Sequence, residues 1–337
     1  MKDSKIYQWG ILGAARVNQR LLPAIQQNKN SIIKSIASRR DGAAQSCIDE
    51  YLSDHKSIAC FNDFDKVILD DEIDIIYIPL ANEEHFVPAM KAIQANKHVL
   101  IEKPMALKSA EVNEIITEAK KNHVIVMEGF MYAFHPQFAR IKEIIQSGQI
   151  GSVKYAHAMF SFPIQPARFY RINRSINHGG GALWDIGPYA VHTLRQMLNA
   201  EPTEVIANAE LNTHGADMST SGLLNFNNGL RATFDISFEC TRRSEFEVFG
   251  DKGRIKCHTV WQHENDEAVI SLLEEGKPEK IEHIAKANHF DLEINHFIDC
   301  VEKQKYSPTL SPEDAIGNAK TLEALSLSIK KNSWVKI

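Results

Sequence analysis

Trp9-Gly10-Ile11-Leu12-Gly13-Ala14-Ala15-Arg16-Val17-Asn18 carries an apolar, strand-like run straight into a glycine turn and on into a helix-like segment. Strand, glycine turn and helix in that order build the phosphate end of a dinucleotide site. The turn is a degenerate G-x-G-x-x-G, with Ala15 and Asn18 where glycines are expected. An ordinary strand-helix connection would read the same. The amides of Gly13, Ala14, Ala15, Arg16 and Val17, with the helix N-terminus behind them, would nevertheless offer a pyrophosphate an anion site.

Outward from the turn the pattern repeats. Strands are predicted over Ile6 to Leu12, Ile32 to Ser38, Ile58 to Cys60, Ile73 to Ile78, Val99 to Ile101 and Val124 to Met127. Helices are predicted near Val17 to Gln27, Ala43 to Tyr51, Asp63 to Leu69, Phe86 to Ala95 and Ala110 to Lys121. Continuous apolar strands alternating with helices imply a parallel sheet covered on both faces, so residues 1–128 read as a doubly wound Rossmann domain of α/β class. After Glu128 the rhythm changes. A helix over Gln137 to Gln146 ends at Ser147-Gly148, and another is expected from about Trp184 to Leu198, after Gly179-Gly180-Gly181. Strand-like runs then follow without helices: Glu204 to Leu211, Ser219 to Phe226, Leu230 to Phe238, Ser244 to Phe249 and Arg254 to Cys257. Asn227-Asn228-Gly229 is a hairpin signal, since such turns need positive φ. Residues 129–337 therefore read as an α+β domain on a large, mostly antiparallel open sheet. Two helices close the chain, about His289 to Glu302 and Pro312 to Lys331, the second capped by Ser311 and expected to pack back on the first domain.

The 337 residues are 44% hydrophobic and 24% charged with a net charge of -5, the balance of a globular protein without the basic surplus that nucleic acid or anionic membrane demands. The amino terminus lacks the long apolar core of a signal peptide, and no apolar stretch reaches the ~20 residues of a spanning helix, so a cytoplasmic location is expected. Cys47, Cys60, Cys240, Cys257 and Cys300 are scattered without a C-x-x-C pair, which suits reduced thiols and neither a disulfide nor zinc. His283, His289 and His296, near Asp291 and Glu293, match no metal spacing and are read as structural or solvated.

Where an NAD-selective protein would carry an acid at the end of the second strand, this chain has Ser38-Arg39-Arg40. A hydroxyl and two guanidiniums suit a 2′-phosphate, favouring NADP(H). Asp41 keeps NAD(H) open, and a solvated basic loop is the plain alternative. Leu80, Asn82 and His85, after the fourth strand, are placed to wall the nicotinamide ribose or to cap the next helix. Glu102-Lys103-Pro104 follows Val99-Leu100-Ile101 and sets an amine at the carboxyl end of a strand, where open sheets bind ligands. Glu102 reads as an anchor for that loop and Pro104 as a cis candidate. Glu128 is placed either to reach the nicotinamide or to lie exposed. A lysine before proline is ordinarily a solvated loop residue.

Trp9-Gly10-Ile11-Leu12-Gly13, Glu102-Lys103-Pro104 and Gly179-Gly180-Gly181-Ala182-Leu183-Trp184-Asp185-Ile186-Gly187-Pro188-Tyr189 together resemble the glucose-fructose oxidoreductase/inositol dehydrogenase/MocA family of NAD(P)-dependent oxidoreductases, over essentially the whole chain. The resemblance implies that Lys103 is the catalytic lysine beside the nicotinamide and that Asp185 and Tyr189 belong to the substrate motif. Their spacing puts both on one face of a continuous helix. Tyrosine stands where many members carry histidine, which resembles the sugar 3-ketoreductases and the xylose and dihydrodiol dehydrogenases. His192, one turn on, reads as a packing residue.

The implied activity is hydride transfer between NADP(H) and a carbonyl or hydroxyl carbon of a sugar or nucleotide-activated sugar. Lys103 would serve as acid/base, Tyr189 as hydrogen-bond partner or proton donor and Asp185 as an orienting group, with the proton donor undecided between Lys103 and Tyr189. Arg171 or Arg174, in the basic and aromatic stretch Arg168 to Arg174, would touch substrate, and a surface loop is the alternative. His135 would line the same cleft or be buried structurally. An aldose or trans-dihydrodiol dehydrogenase is a second reading. A non-catalytic NADP-binding regulator is a third, against which the retention of Lys103, Asp185 and Tyr189 argues. The family resemblance implies a homodimer or homotetramer, with the open sheet as its face.

Overall fold

The computed structural model describes residues 5–52, 57–261 and 267–337. The elements alternate first: β1 (Tyr7–Leu12), α1 (Asn18–Gln27), β2 (Ser31–Ala37), α2 (Ala43–Tyr51), β3 (Ala59–Phe61), α3 (Asp65–Ile68), β4 (Ile75–Ile78), α4 (Phe86–Gln94), β5 (His98–Glu102), α5 (Ser109–Lys121) and β6 (Val126–Gly129). The six strands are parallel in the order β3-β2-β1-β4-β5-β6. Strand order reverses between β1 and β4, so the loops after β1, β2, β4 and β5 gather at the ligand-binding edge of a doubly wound sheet. All four residues of β4 are buried, as a strand covered on both faces requires.

The second set is α6 (Pro136–Gln146), β7 (Val153–Ser161), α7 (Ala182–Asp185), α8 (Gly187–Leu198), β8 (Pro202–Leu211), β9 (Asp217–Phe226), β10 (Arg231–Ser237), β11 (Arg243–Gly250), β12 (Gly253–Cys257), β13 (Ala268–Glu274) and β14 (Lys280–Ile284). The chain closes with α9 (His289–Lys303), α10 (Pro312–Lys331) and β15 (Val335–Lys336). Among the described residues nine strands form one sheet, β14-β13-β12-β11-β7-β10-β9-β8-β15, in which β7 and β10 pair in parallel and the other neighbours pair antiparallel. The helix α8 packs on β7 and β10, where the buried side chains of Ala156, Ala158 and Ala232 are small.

The hairpin between β9 and β10 forms as expected, with Gly229 at φ +76. The central strand β7 is not legible in the sequence, because Val-Lys-Tyr-Ala-His-Ala-Met-Phe-Ser puts alanines, poor in strand signal, at inward positions. The helix expected over Trp184 to Leu198 is broken. Ile186, at φ -117 and ψ -18, separates α7 from α8, and Pro188 sits in the first turn of α8. Proline lacks the N–H that a continuous helix would need there, so it begins a new one. Asp185 and Tyr189 thus do not share one uninterrupted helical face.

By its internal contacts the chain forms two units, one reaching Met131 and taking in His289–Ile316, the other comprising Tyr132–Asn288 and Gly317–Ile337. The first expectation, a clean division after Glu128, is corrected by α9. Its buried stripe of Phe290, Ile294, Phe297, Ile298 and Val301 lies with the first unit, where Phe297 meets the Trp9 ring at 5.8 Å. The last helix, α10, instead belongs from Gly317 onward to the second unit, and Ser328 Oγ accepts from the Ala207 amide at 3.0 Å. An amphipathic stripe announces burial without saying against which sheet. Among the described residues no helix is long and apolar enough to cross a membrane.

Candidate active site

In the turn after β1, Gly13 adopts φ +120, and a Cβ there would lie 2.9 Å from Leu80 Cδ2. The backbone conformation demands glycine, while the Leu80 methyl could shift aside. Asn18, which departs from the glycine pattern, is fully buried and donates to the Gly13 carbonyl at 2.9 Å and toward Cys47 Sγ at 3.4 Å. Its side chain braces the turn that a third glycine would merely have admitted. No acidic residue stands in the first turn of α1, which leaves the helix N-terminus suited to an anion.

At the end of β2 the two arginines diverge. Arg39 Nη2 donates to both carboxylate oxygens of Glu84 at 2.6 and 2.7 Å, and its guanidinium lies over the Phe64 ring at 5.4 Å. Arg40 turns the other way and donates to the Ala14 carbonyl at 2.5 Å. Each lines its own cavity. One of about 480 Å³ touches Ala14, Ala15, Arg16, Arg40 and Ser46. The other, about 330 Å³, touches Arg39, Phe64, Leu80, Glu84 and Val87. The expected joint clamp of Ser38, Arg39 and Arg40 is therefore divided: Ser38 is buried and its hydroxyl accepts from the Arg40 amide at 3.3 Å. Asp41 accepts from Asn62 Nδ2 at 2.9 Å. The cavity between the glycine turn and β2 has Arg16 and Arg40 on its wall, together with Asp41 and Glu50.

The loop after β5 is pinned on both sides of Lys103. Glu102 Oε1 accepts from the Tyr77 hydroxyl at 2.8 Å, and Glu128 Oε1 accepts from the Met105 amide at 2.8 Å. Between these anchors, His85 is fully buried, its Nδ1 2.8 Å from the Pro104 carbonyl and its Nε2 3.1 Å from the Leu80 carbonyl. Asn82 is buried in the same loop set. The Lys103-Pro104 peptide is cis, and Lys103 is only 7% exposed. The lysine is thus a held side chain rather than a solvated one. Glu128, placed by its sequence position either at the nicotinamide or in solvent, is buried and serves the loop. Glu293 of α9 is buried beside this group, and burial, then the Glu102 charge, pushes its carboxyl well above the usual range.

In the second unit Asp185 is 3% exposed and paired with arginines. Arg168 Nη2 donates to Oδ2 at 2.6 Å, and Arg171 Nη1 lies 3.5 Å from Oδ1. Arg168 also lies over Phe162 at 4.8 Å and Arg171 over Tyr170 at 5.2 Å. Arg174 is exposed, and its carbonyl backs Gly180, where a Cβ would come within 2.0 Å. Sequence reasoning assigns no role to Arg168, because its partner is set by folding. Tyr189 is half-buried among the rings of Phe160 at 5.6 Å, Tyr132 at 5.9 Å and Trp261 at 6.3 Å. His192 is fully buried with Nδ1 2.5 Å from the Tyr132 hydroxyl, to which Thr193 Oγ1 donates at 2.8 Å. His135 is buried and caps α6 through the Gln137 amide at 3.1 Å. Of the other histidines, His296 Nε2 lies 2.9 Å from Ser307 Oγ, His283 lies beside Glu267 at 3.2 Å and His289 is buried.

The doubly wound sheet with its glycine turn, the buried lysine after β5 and the carboxylate-arginine-tyrosine group on an antiparallel sheet define a class: two-domain oxidoreductases that work with a nicotinamide dinucleotide. Residues 7–130 match the oxidoreductase family, NAD-binding Rossmann fold, and residues 138–256 match the GFO/IDH/MocA C-terminal domain. The chain belongs to the Gfo/Idh/MocA family of oxidoreductases. It is 28% identical to a trans-1,2-dihydrobenzene-1,2-diol dehydrogenase of Xenopus tropicalis, covering 91% of this chain and 93% of that one. It is 29% identical to a dTDP-3,4-didehydro-2,6-dideoxy-alpha-D-glucose 3-reductase of Saccharopolyspora spinosa, covering 79% of each. Its fold matches that of a 3-ketoreductase from Actinomadura kijaniata, solved with NADP and TDP-benzene, with a TM-score of 0.88 at 23% identity, covering 96% of this chain and 98% of that one.

Proposed function

We propose that this protein transfers a hydride between NADP(H) and a carbonyl or hydroxyl carbon of a sugar or nucleotide-activated sugar. The observation that carries the reading is Lys103, withdrawn from water in a loop pinned by Glu102, His85 and Glu128 at the carboxyl end of β5. A nicotinamide bound at that edge supplies or accepts the hydride. The protein's part is then to hold the reacting carbon and to move one proton, added to the oxygen in reduction and removed in oxidation. Lys103 Nζ and the Tyr189 hydroxyl are the groups assigned to that proton. Arg168 and Arg171, oriented by Asp185, bind hydroxyls or a phosphate of the substrate.

NADP(H) is favoured over NAD(H) because Arg16, Arg39 and Arg40 line the two cavities at the end of β2, while Asp41 is engaged by Asn62. The relatives' names support sugar and diol substrates alike. The pair Arg168 and Arg171, held by Asp185 of α7, favours the sugar carrying a phosphate or nucleotide over a bare diol or aldose. We further assign the protein to the cytoplasm and to a homodimer or homotetramer formed through its broad sheet. The decisive experiment titrates NADPH and NADH and then screens keto-sugars, aldoses and nucleotide sugars with wild type and Lys103→Met. NADPH-dependent turnover abolished by the substitution is expected. Turnover unaffected by it would overturn the role of Lys103, and NADPH binding with no turnover of any substrate class would favour the regulator.

A further inference from the structure

Asp217 opens β9 wholly out of solvent, and its carboxylate is spent on the segment that carries Asp185. Oδ2 accepts from the Leu183 amide at 2.7 Å and from Thr220 Oγ1 at 2.6 Å. Gly181 is pressed against it so closely that a Cβ there would stand 1.9 Å from Oδ1. The same Gly181, at φ +91, donates its amide to the Arg171 carbonyl at 2.8 Å. Arg171 and Arg168 in turn hold the two oxygens of Asp185. One buried anion therefore ties the start of α7 to the glycine run and, through Gly181, to the arginine segment.

The groups that hold Asp217 are the amides of α7 and the hydroxyl of Thr220 on its own strand, and β8 sets Leu211 opposite it. The charged groups of the neighbouring segment, Asp185, Arg168 and Arg171, pair with one another. Asp217 thus has no cation to offset its burial among the groups that hold it, and burial pushes its carboxyl up to about 6. A carboxylate kept at that cost, where a neutral side chain could fill the space, points to a use.

We propose that Asp217 is a positioning residue for the active site, its carboxylate fixing the first turn of α7 and so the place from which Asp185 presents Arg168 and Arg171. The inference rests on the substrate role proposed for that arginine pair. Protonation weakens the acceptor and releases the turn.

Trp184 reports on this turn, since its indole is buried and donates to the Ile176 carbonyl at 2.7 Å. In the full-length wild type, Trp184 emission should change with a midpoint of about 6, the value to which the Asp217 carboxyl is raised. Asp217→Asn should abolish the transition, and Trp184→Phe should remove the signal and so assign it. With a substrate found, kcat/KM of wild type should fall below that midpoint. The Asn variant should be reduced about ten- to a hundredfold throughout, as misplacement of binding groups produces, with NADPH binding unchanged. A Trp184 transition that persists in Asp217→Asn, or a variant pH profile matching wild type, overturns the proposal. Loss of the transition in a variant that binds NADPH supports it even if every sugar fails as substrate, which would count against the proposed function alone.

Discussion

Replacing Asp217 by Asn should make the chain progressively more stable relative to wild type as pH rises from about 4 to neutrality, although it removes a hydrogen-bonded anion. Burial raises the carboxyl from 3.8 to about 6. A tenfold weakening of an acid corresponds to about 1.36 kcal/mol of preference for the protonated form, so a weakening of roughly a hundredfold amounts to about 3 kcal/mol. The sign follows from which state holds the proton. Below about pH 4 both folded and unfolded chains are protonated at this position, and the wild type has the full benefit. Between about pH 4 and pH 6 the unfolded chain ionises first, so wild-type stability falls by about 1.4 kcal/mol for each step of one in pH. Above that range the loss is complete. Asparagine cannot titrate, so the stability of the variant minus that of wild type should rise by about 3 kcal/mol across the window and stay level above it. Any fixed packing cost of the amide cancels from this difference. Urea unfolding of both proteins, followed by tryptophan emission at several pH values from about 4 to about 8, measures it. A difference that does not vary with pH, or one that falls as pH rises, would refute the reasoning and show that the amides and Thr220 outweigh burial.

Arg40→Ala should weaken NADPH binding by about 2 kcal/mol, the worth of charge-assisted hydrogen bonds, and leave NADH binding nearly unchanged. Equal losses for both cofactors in a titration would remove Arg40 from 2′-phosphate recognition, and a selective loss confined to Arg39→Ala would transfer that role to the smaller cavity. Lys103→Met should lower kcat by about 10² to 10⁴ with NADPH affinity retained, the range for a lost general acid/base, as steady-state kinetics would read. Gly181→Ala should cost about 3 kcal/mol or more, because a Cβ would meet Asp217 Oδ1 at 1.9 Å in a backbone at φ +91. Gly42→Ala, at φ +70 but with nothing within 4 Å, should cost only about 1 kcal/mol. Equal melting temperatures for the two alanine variants would contradict the close approach at Gly181.

The legible parts of the site are those encoded locally. The run into Gly13 and the run into Lys103 each end a buried strand, and strand ends in a doubly wound sheet gather at one edge. Pro188 is in plain view, yet the break it makes is masked because the apolar spacing continues across it. Arg168 gives no sign of its role because its partner Asp185 lies 17 residues away, and Arg39 reads as facing a cofactor phosphate although Glu84, 45 residues on, takes both its hydrogen bonds. Asp217 offers no signal at all. Its function lies in a contact with Leu183, 34 residues earlier, and in an environment that no spacing describes.

The sequence by itself determined the alternating elements, the parallel sheet, the family and the presence of a lysine at the ligand edge, because apolar period and turn chemistry act over a few residues. Only the tertiary structure decided that Arg39 and Arg40 part, that Asp185 belongs to Arg168 and Arg171, that α9 returns to the first unit and that a lone carboxylate lies under α7. Those outcomes depend on which distant groups are buried together, and burial is what makes one charge pair, one stripe or one proton more favourable than its alternatives.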